Sequence, residues 1–142
     1  MDLPLNEHLV FVSHSSEDTW VARQIAREIT ETGAKVFLDE ANIKIGDEFD
    51  EEIRKSLNLA NEFVVLFTPW ALGRPFVWAE IGVAWSRAIP IVIVLHGISI
   101  AEFIARPELP VFLKKRDMIK LNEIDQYFSQ LRMRGRSENK HE

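Results

Sequence analysis

With 142 residues, 46% of them hydrophobic and 27% charged, the chain is long enough to bury one sizeable core and has the balance of a soluble globular domain. No apolar run is long enough to cross a bilayer, and the acidic start MDLPLNEHLV lacks the basic opening and long apolar region of a secretory leader. The lack of cysteine excludes disulfides, thiolate metal sites and a cysteine nucleophile, and the net charge of −5 argues against a broad nucleic-acid-binding face.

A cytoplasmic protein with no nucleic-acid or membrane partner is therefore expected. The charge is uneven: residues 113–142 carry eight Lys/Arg against five Asp/Glu, and residues 1–112 carry nine against seventeen. The basic end suits a helix C-terminus leading into a frayed tail.

In chain order, Leu9–Ser13 (LVFVS) is a short apolar run of the kind covered on both faces of a sheet. Ser15 and Asp18 stand three apart, as in a capping box with a short acid. They open a helix to about Thr32, with Val21, Ala22, Ile25, Ala26 and Ile29 facing inward and Gly33 stopping it. Lys35–Asp39 is a second strand, with Asp39 at its carboxyl end. The loop ANIKIG follows, and Gly46 can take a backbone conformation closed to most residues. The run DEFDEE (47–52) opens another helix, whose buried side is Phe49, Ile53, Leu57 and Ala60. Its acids suit a solvated helix N-terminus rather than a metal site.

Phe63–Thr68 is a third strand. Ile89–Leu95, the most apolar, is a fourth and is expected at the sheet centre. A short helix is expected around Ser99–Ala105, a fifth strand at Asp117–Leu121, and a last helix capped by Asn122 with Ile124, Tyr127, Phe128 and Leu131 inward.

The segment Thr68–Trp85 (TPWALGRPFVWAEIGVAW) stands apart. Pro75 suits the first position of a helix, where its missing N–H costs nothing. Val77, Ile81, Ala84, Trp85 and Ala88 then recur at helical spacing, and Glu80 falls at the border of that stripe. None of Phe76, Val77, Val83 and Ala84, three or four residues away, offers it a cation. Such an acid is either exposed or has a use. Trp20 and Trp85 read as core or domain-edge residues, and Trp70 and Trp78 as packing residues or platforms for a ring.

Strand–helix alternation with short connections predicts a parallel sheet with helices on both faces. Right-handed crossovers bring all strand carboxyl ends to one edge, where ligands bind at the point of strand-order reversal. SHSSED, Asp39 with ANIKIG, and Trp70–Glu80 should converge there.

FVSHSSED after the first strand, VFLDEANIKIGDEF through the second, and FVVLFT with RPFVWAE after the third together resemble a Toll/interleukin-receptor (TIR) domain of prokaryotic type. The resemblance covers about residues 8–135 and leaves 136–142 as a disordered tail. It implies an α/β, flavodoxin-like fold: a five-stranded parallel sheet of order 2-1-3-4-5 with helices on both faces. Many TIR domains cleave NAD+ at the nicotinamide–ribose bond and depend on a glutamate near the start of the helix after the third strand. By position that catalytic residue is Glu80. The family usually has a tryptophan four residues earlier, where Phe76 stands here, a ring that stacks but lacks the indole N–H. The family's serine after the third strand is Thr68 here. The nucleotide site of relatives corresponds to Ser13, His14, Ser15, Asn42, Ile43, Lys44 and the Gly46 that ends the loop, while Asp39 either binds a ribose or caps the next turn.

The resemblance implies an NAD+ glycohydrolase, with cyclase activity open, that takes NAD+ as substrate and needs neither metal nor further cofactor. It also implies partners: other TIR copies in a homo-oligomer or filament, and a separate sensor or effector protein. The implied setting is bacterial, anti-phage immunity, activated by self-assembly. The alternative is a non-catalytic module that recruits other TIR domains. A phosphoacceptor receiver domain shares the strand order, but it needs an acidic pair after the first strand and an aspartate ending the third, where SHSSED and Thr68 stand.

Overall fold

Alternate residues of each inner strand point to opposite sides of one sheet, and both sides are covered by helices. The structure, a computed structural model, describes residues 7–38 and 51–139. Its five strands are β1 (Leu9–Ser13), β2 (Lys35–Leu38), β3 (Glu62–Phe67), β4 (Ile91–Leu95) and β5 (Asp117–Lys120), all parallel, in the order β2-β1-β3-β4-β5. Among the described residues six helices accompany them: α1 (Thr19–Glu31), α2 (Glu51–Leu59), α3 (Pro75–Ser86), α4 (Ile100–Ile104), α5 (Val111–Lys114) and, after the last strand, α6 (Asp125–Asn139). The flavodoxin-like order expected from the sequence is the order found.

The period of two along the strands divides the core. Phe11, Phe63, Val65, Phe67, Ile93 and Leu95 face α2 through α5, meeting Ile53, Leu57, Val77, Ile81, Phe103 and Leu113. Val10, Val12, Val64, Leu66 and Val94 face α1 and α6, meeting Ala22, Ile25, Ile29, Phe128 and Leu131. Phe11 lies against Phe63 with ring centroids 5.6 Å apart and planes 8° apart, so truncating either ring would cost about 3–5 kcal/mol.

Several elements differ from the sequence expectation. The sheet centre is β3, buried along its whole length, and not β4. Apolarity marks both as inner strands, but which is central depends on the direction of the crossovers. A 3-10 turn, Ser16–Asp18, precedes α1, and Gly33, at φ 105°, ends the turn that follows it. Asn122 does not cap α6; it lies within a 3-10 turn, Leu121–Glu123, that leads into it. The short helix α5 after Pro110 was not foreseen. On α3 the buried stripe is Val77, Glu80, Ile81 and Ala84, while Trp85 is half exposed and stacks on Phe112 at 4.8 Å. Ala88, expected inward, is exposed at φ 56° and turns the chain towards β4. Trp20 is 69% exposed on the first turn of α1 and belongs to no core. Phe49 lies outside the described residues. The last helix continues past Gly135 to Asn139. Among the described residues no helix is long and apolar enough to cross a membrane.

From β1 the chain steps one way to β2 and then returns across β1 to β3. The strand order therefore reverses between β1 and β3, the position at whose carboxyl ends ligands bind in open sheets of this kind.

Candidate active site at the carboxyl edge of β1 and β3

Ser13 is the last residue of β1, in register with Val65 of β3. Its Oγ donates to Glu80 Oε1 at 2.7 Å, across 67 residues of sequence, and both side chains are buried. Pro75 at the start of α3 sets the helix so that Glu80, just over one turn in, lies beside the strand end. Glu80 is thus inside the buried stripe of α3, 1% exposed, and not at its border as the helical wheel suggests. An acid in an apolar stripe is tolerated where a hydroxyl meets it.

A second carboxylate lies beside the same segments. Ser15 Oγ donates to Asp18 Oδ2 at 2.7 Å, and Thr68 Oγ1, just beyond β3, donates to the same oxygen at 2.5 Å. Ser15, Asp18 and Thr68 are all buried. The reciprocal capping box expected of Ser15 and Asp18 is therefore not made. The backbone N–H of Asp18 reaches Ser15 O at 3.0 Å, and the two side chains bond each other. Thr68 Oγ1 in turn accepts from the Ala71 N–H at 3.3 Å, at the head of a 3-10 turn, Ala71–Gly73, that leads into α3. Nearer the solvent, Arg74 donates to Glu17 at 2.9 Å, with both side chains about half exposed.

The structure brings Ser13, His14, Ser15, Phe76 and Glu80 to this one edge. His14 is half-buried, and Phe76, on the first turn of α3, is 36% exposed. The hydroxyls of Ser13 and Ser15 are donated to carboxylates, while the neighbouring Ser16 is exposed. Trp78 is held in place: its indole N–H donates to Leu72 O at 3.0 Å and its ring packs 5.3 Å from Phe67. Packing is the role this geometry gives it. Trp70 is 56% exposed. Asp39, Asn42, Ile43, Lys44 and Gly46 lie outside the described residues.

Sequence reasoning noted Asp18 only as a cap and Thr68 only as a hydroxyl. The signal that joins them is the Ser-x-x-Asp after one inner strand together with a Thr ending its neighbour. It missed Glu62 altogether. That residue, the first of β3 and 1% exposed, accepts from His8 Nε2 and Arg134 Nη1, each at 2.9 Å, at the opposite edge. Burial works to raise its pKa, but His8 and Arg134 outweigh this and hold the carboxyl below its ordinary range. Burial and the nearby Glu62 charge push the phenol of Tyr127 up.

A family model described as TIR domain matches residues 10–132. The curated 2' cyclic ADP-D-ribose synthase BtTIR of Bacteroides thetaiotaomicron is 34% identical over 67 residues, 46% of this chain and 23% of that protein. The chain thus spans about a quarter of the length of that relative. Among solved structures, the TIR domain of the Toll-related receptor TRR-2 from Hydra magnipapillata superposes with a TM-score of 0.62 at 20% identity, covering 88% of this chain and 94% of that one. The TIR domains of the activated Roq1 resistosome, which directly recognises the pathogen effector XopQ, superpose with a TM-score of 0.54 at 20% identity, covering 68% and 62%.

Proposed function

The chain belongs to the TIR domain family, and from that premise we propose that it cleaves NAD+ at the bond between nicotinamide and ribose, with Glu80 as the catalytic carboxylate. The observation that carries this reading is the Ser13–Glu80 pair: a buried glutamate oriented at 2.7 Å by the last residue of an inner strand, at the point where strand order reverses. The relative of known activity, a 2' cyclic ADP-D-ribose synthase, supports the same chemistry.

NAD+ enters as substrate. Nicotinamide is bound to the ribose as a pyridinium, so when the C1'–N bond breaks it leaves with the electron pair as a neutral base. The ribose passes through an oxocarbenium-like state, as in glycoside hydrolysis. A carboxylate beside the ring holds its hydroxyls and stabilises the positive charge, more strongly where water is excluded. Water adding to C1' with loss of a proton gives ADP-ribose. An adenine nitrogen or ribose hydroxyl of the same molecule adding there gives a cyclic product. Phe76, one turn before Glu80 and partly exposed, offers a ring face to the substrate. Ser13 orients the carboxylate; His14, Ser15, Asp39, Asn42, Ile43, Lys44 and Gly46 are the proposed surroundings of the nucleotide.

The reaction serves bacterial, anti-phage immunity and is switched on when copies of the chain assemble, with a separate protein as sensor or effector. Assembly is supported by the Roq1 neighbour, whose TIR domains sit in a resistosome. The test is nicotinamide release from NAD+ by concentrated protein, with Glu80→Gln as control and chromatography of the product. Equal release by the mutant removes Glu80 from the reaction. A second reading, a non-catalytic TIR–TIR interaction module, is favoured by Phe76 in the tryptophan position and by the exposed Trp85, Val111 and Met133. Intact NAD+ under assembling conditions would decide for it.

A further inference from the structure

Two buried carboxylates, Glu80 and Asp18, lie on segments that leave the switch point, and the proposed reaction uses one of them. We infer that Asp18 is a positioning residue for Glu80, acting through the hydroxyl of Thr68; this rests on the NAD+-cleaving reading above.

The connection can be followed atom by atom. Asp18 Oδ2 accepts from Ser15 Oγ at 2.7 Å and from Thr68 Oγ1 at 2.5 Å. A hydroxyl has one proton, so a Thr68 that donates to Asp18 turns its lone pairs the other way, and one of them accepts from the Ala71 N–H at 3.3 Å. The Thr68 carbonyl takes the Leu72 N–H at 3.3 Å. Residues 71–73 then form the 3-10 turn that ends at Arg74, the residue before Pro75, and α3 carries Glu80 from there. Ser13, which holds Glu80, stands two residues before Ser15 on the same strand end. Asp18 thus ties the β1–α1 turn to the β3–α3 connector, the two segments that must stay in register for a hydroxyl on one to meet a carboxylate on the other.

Its chemistry suits this role. Asp18 is 7% exposed, and both hydroxyls converge on a single oxygen, as charge-assisted bonds do. Among the described residues no ion pair engages it. A buried charge without a basic partner is costly unless hydroxyls or amides take the place of water. The hydroxyls that stabilise Asp18 are those that lock the two segments together, so neither function can be lost alone. Misplacing a reacting carboxylate by about 1 Å costs roughly a hundredfold in rate.

The experiment compares Thr68→Val, Thr68→Ser, Asp18→Ala, Asp18→Asn and the double Asp18→Ala/Thr68→Val in the full chain. It reads nicotinamide release, Tm, and hydrogen exchange at the Ala71 amide. Thr68→Val should lower kcat by about tenfold to a hundredfold, with KM for NAD+ within about twofold, and should speed Ala71 exchange at least about tenfold. Thr68→Ser, which keeps the hydroxyl, should restore both. Asp18→Asn keeps an acceptor oxygen and should fall between the wild type and Asp18→Ala. The double variant should be no worse than the worse single, because both remove one connection. The inference is overturned if Ala71 exchange is unchanged in Asp18→Ala, if the two single effects multiply, or if cooling to compensate for the lower Tm restores full turnover. If the wild type leaves NAD+ intact under assembling conditions while the exchange pattern holds, the NAD+-cleaving reading falls and the hold of Asp18 on the approach to α3 stands.

Discussion

At the amino edge of the sheet Glu62 is met by two basic side chains, His8 and Arg134, each at 2.9 Å. At the carboxyl edge neutral hydroxyls donate to the buried acids, Ser13 to Glu80, and Ser15 and Thr68 to Asp18. All three acids are buried. Basic partners commit a carboxylate: its charge is balanced within the fold, and it ties α6 to the sheet. A hydroxyl partner orients a carboxylate and adds no charge of its own. The same protein thus holds one buried acid tied by basic side chains and another, the one proposed for chemistry, met by a strand-end hydroxyl. Burial alone does not distinguish them.

That contrast can be broken most directly by exchange of charge at each edge. Glu80→Gln should cut nicotinamide release at least about a hundredfold with little change in Tm, whereas Glu62→Gln should keep turnover and lower Tm. Comparable activity losses in both would erase the distinction. A smaller effect is expected for Arg134→Ala, which leaves the Glu62 carboxylate less neutralised and should cost about 1–3 kcal/mol in urea unfolding. The pH dependence follows from the same residue. The folded pKa of Glu62 lies below its unfolded value of 4.5, so its contribution is present above that pH and is lost as pH falls through the folded value. Tm should therefore drop on acidification below about 4.5 more steeply in the wild type than in Glu62→Gln. At the amino edge of the sheet too, just before β4, Ala88→Gly should raise stability by about 0.5–1 kcal/mol, because Ala88 is held at φ 56°. Smallest of all, Arg74→Ala should cost under about 1 kcal/mol, and the cost should vanish in high salt, since both ends of the Arg74–Glu17 pair are about half exposed.

Much of this was legible in the sequence. The five strands follow from apolar runs, and the position of Glu80 from a helix opened by Pro75 after the third of them. What escaped depends on distance along the chain. Glu62 and Arg134 are 72 residues apart, and nothing local in EFVVLF announces that its first acid will be covered by the last helix. Asp18 and Thr68 are 50 apart, and each taken alone has an ordinary local explanation as a cap or a strand end. The error about Trp85 has a different cause. A helical stripe gives the inward direction, but how far along it burial reaches depends on neighbours, and here Phe112 covers only one face of the indole. Likewise, hydrophobicity distinguishes inner from edge strands but does not rank β3 against β4. The loop residues Asn42, Ile43, Lys44 and Gly46, with Asp39, lie outside the described residues, so the sequence is what speaks for them.

The strand order also has a consequence for how the molecule is made. β1 is synthesised first yet sits between β2 and β3, pairing Val10 through Ser13 with residues 62–65. Until synthesis has passed β3, a nascent chain carries LVFVS as an open, apolar edge able to pair with any strand that meets it. The segment that ends in Ser13, and so orients the proposed catalytic acid, is thus the inner strand that waits longest for its second neighbour.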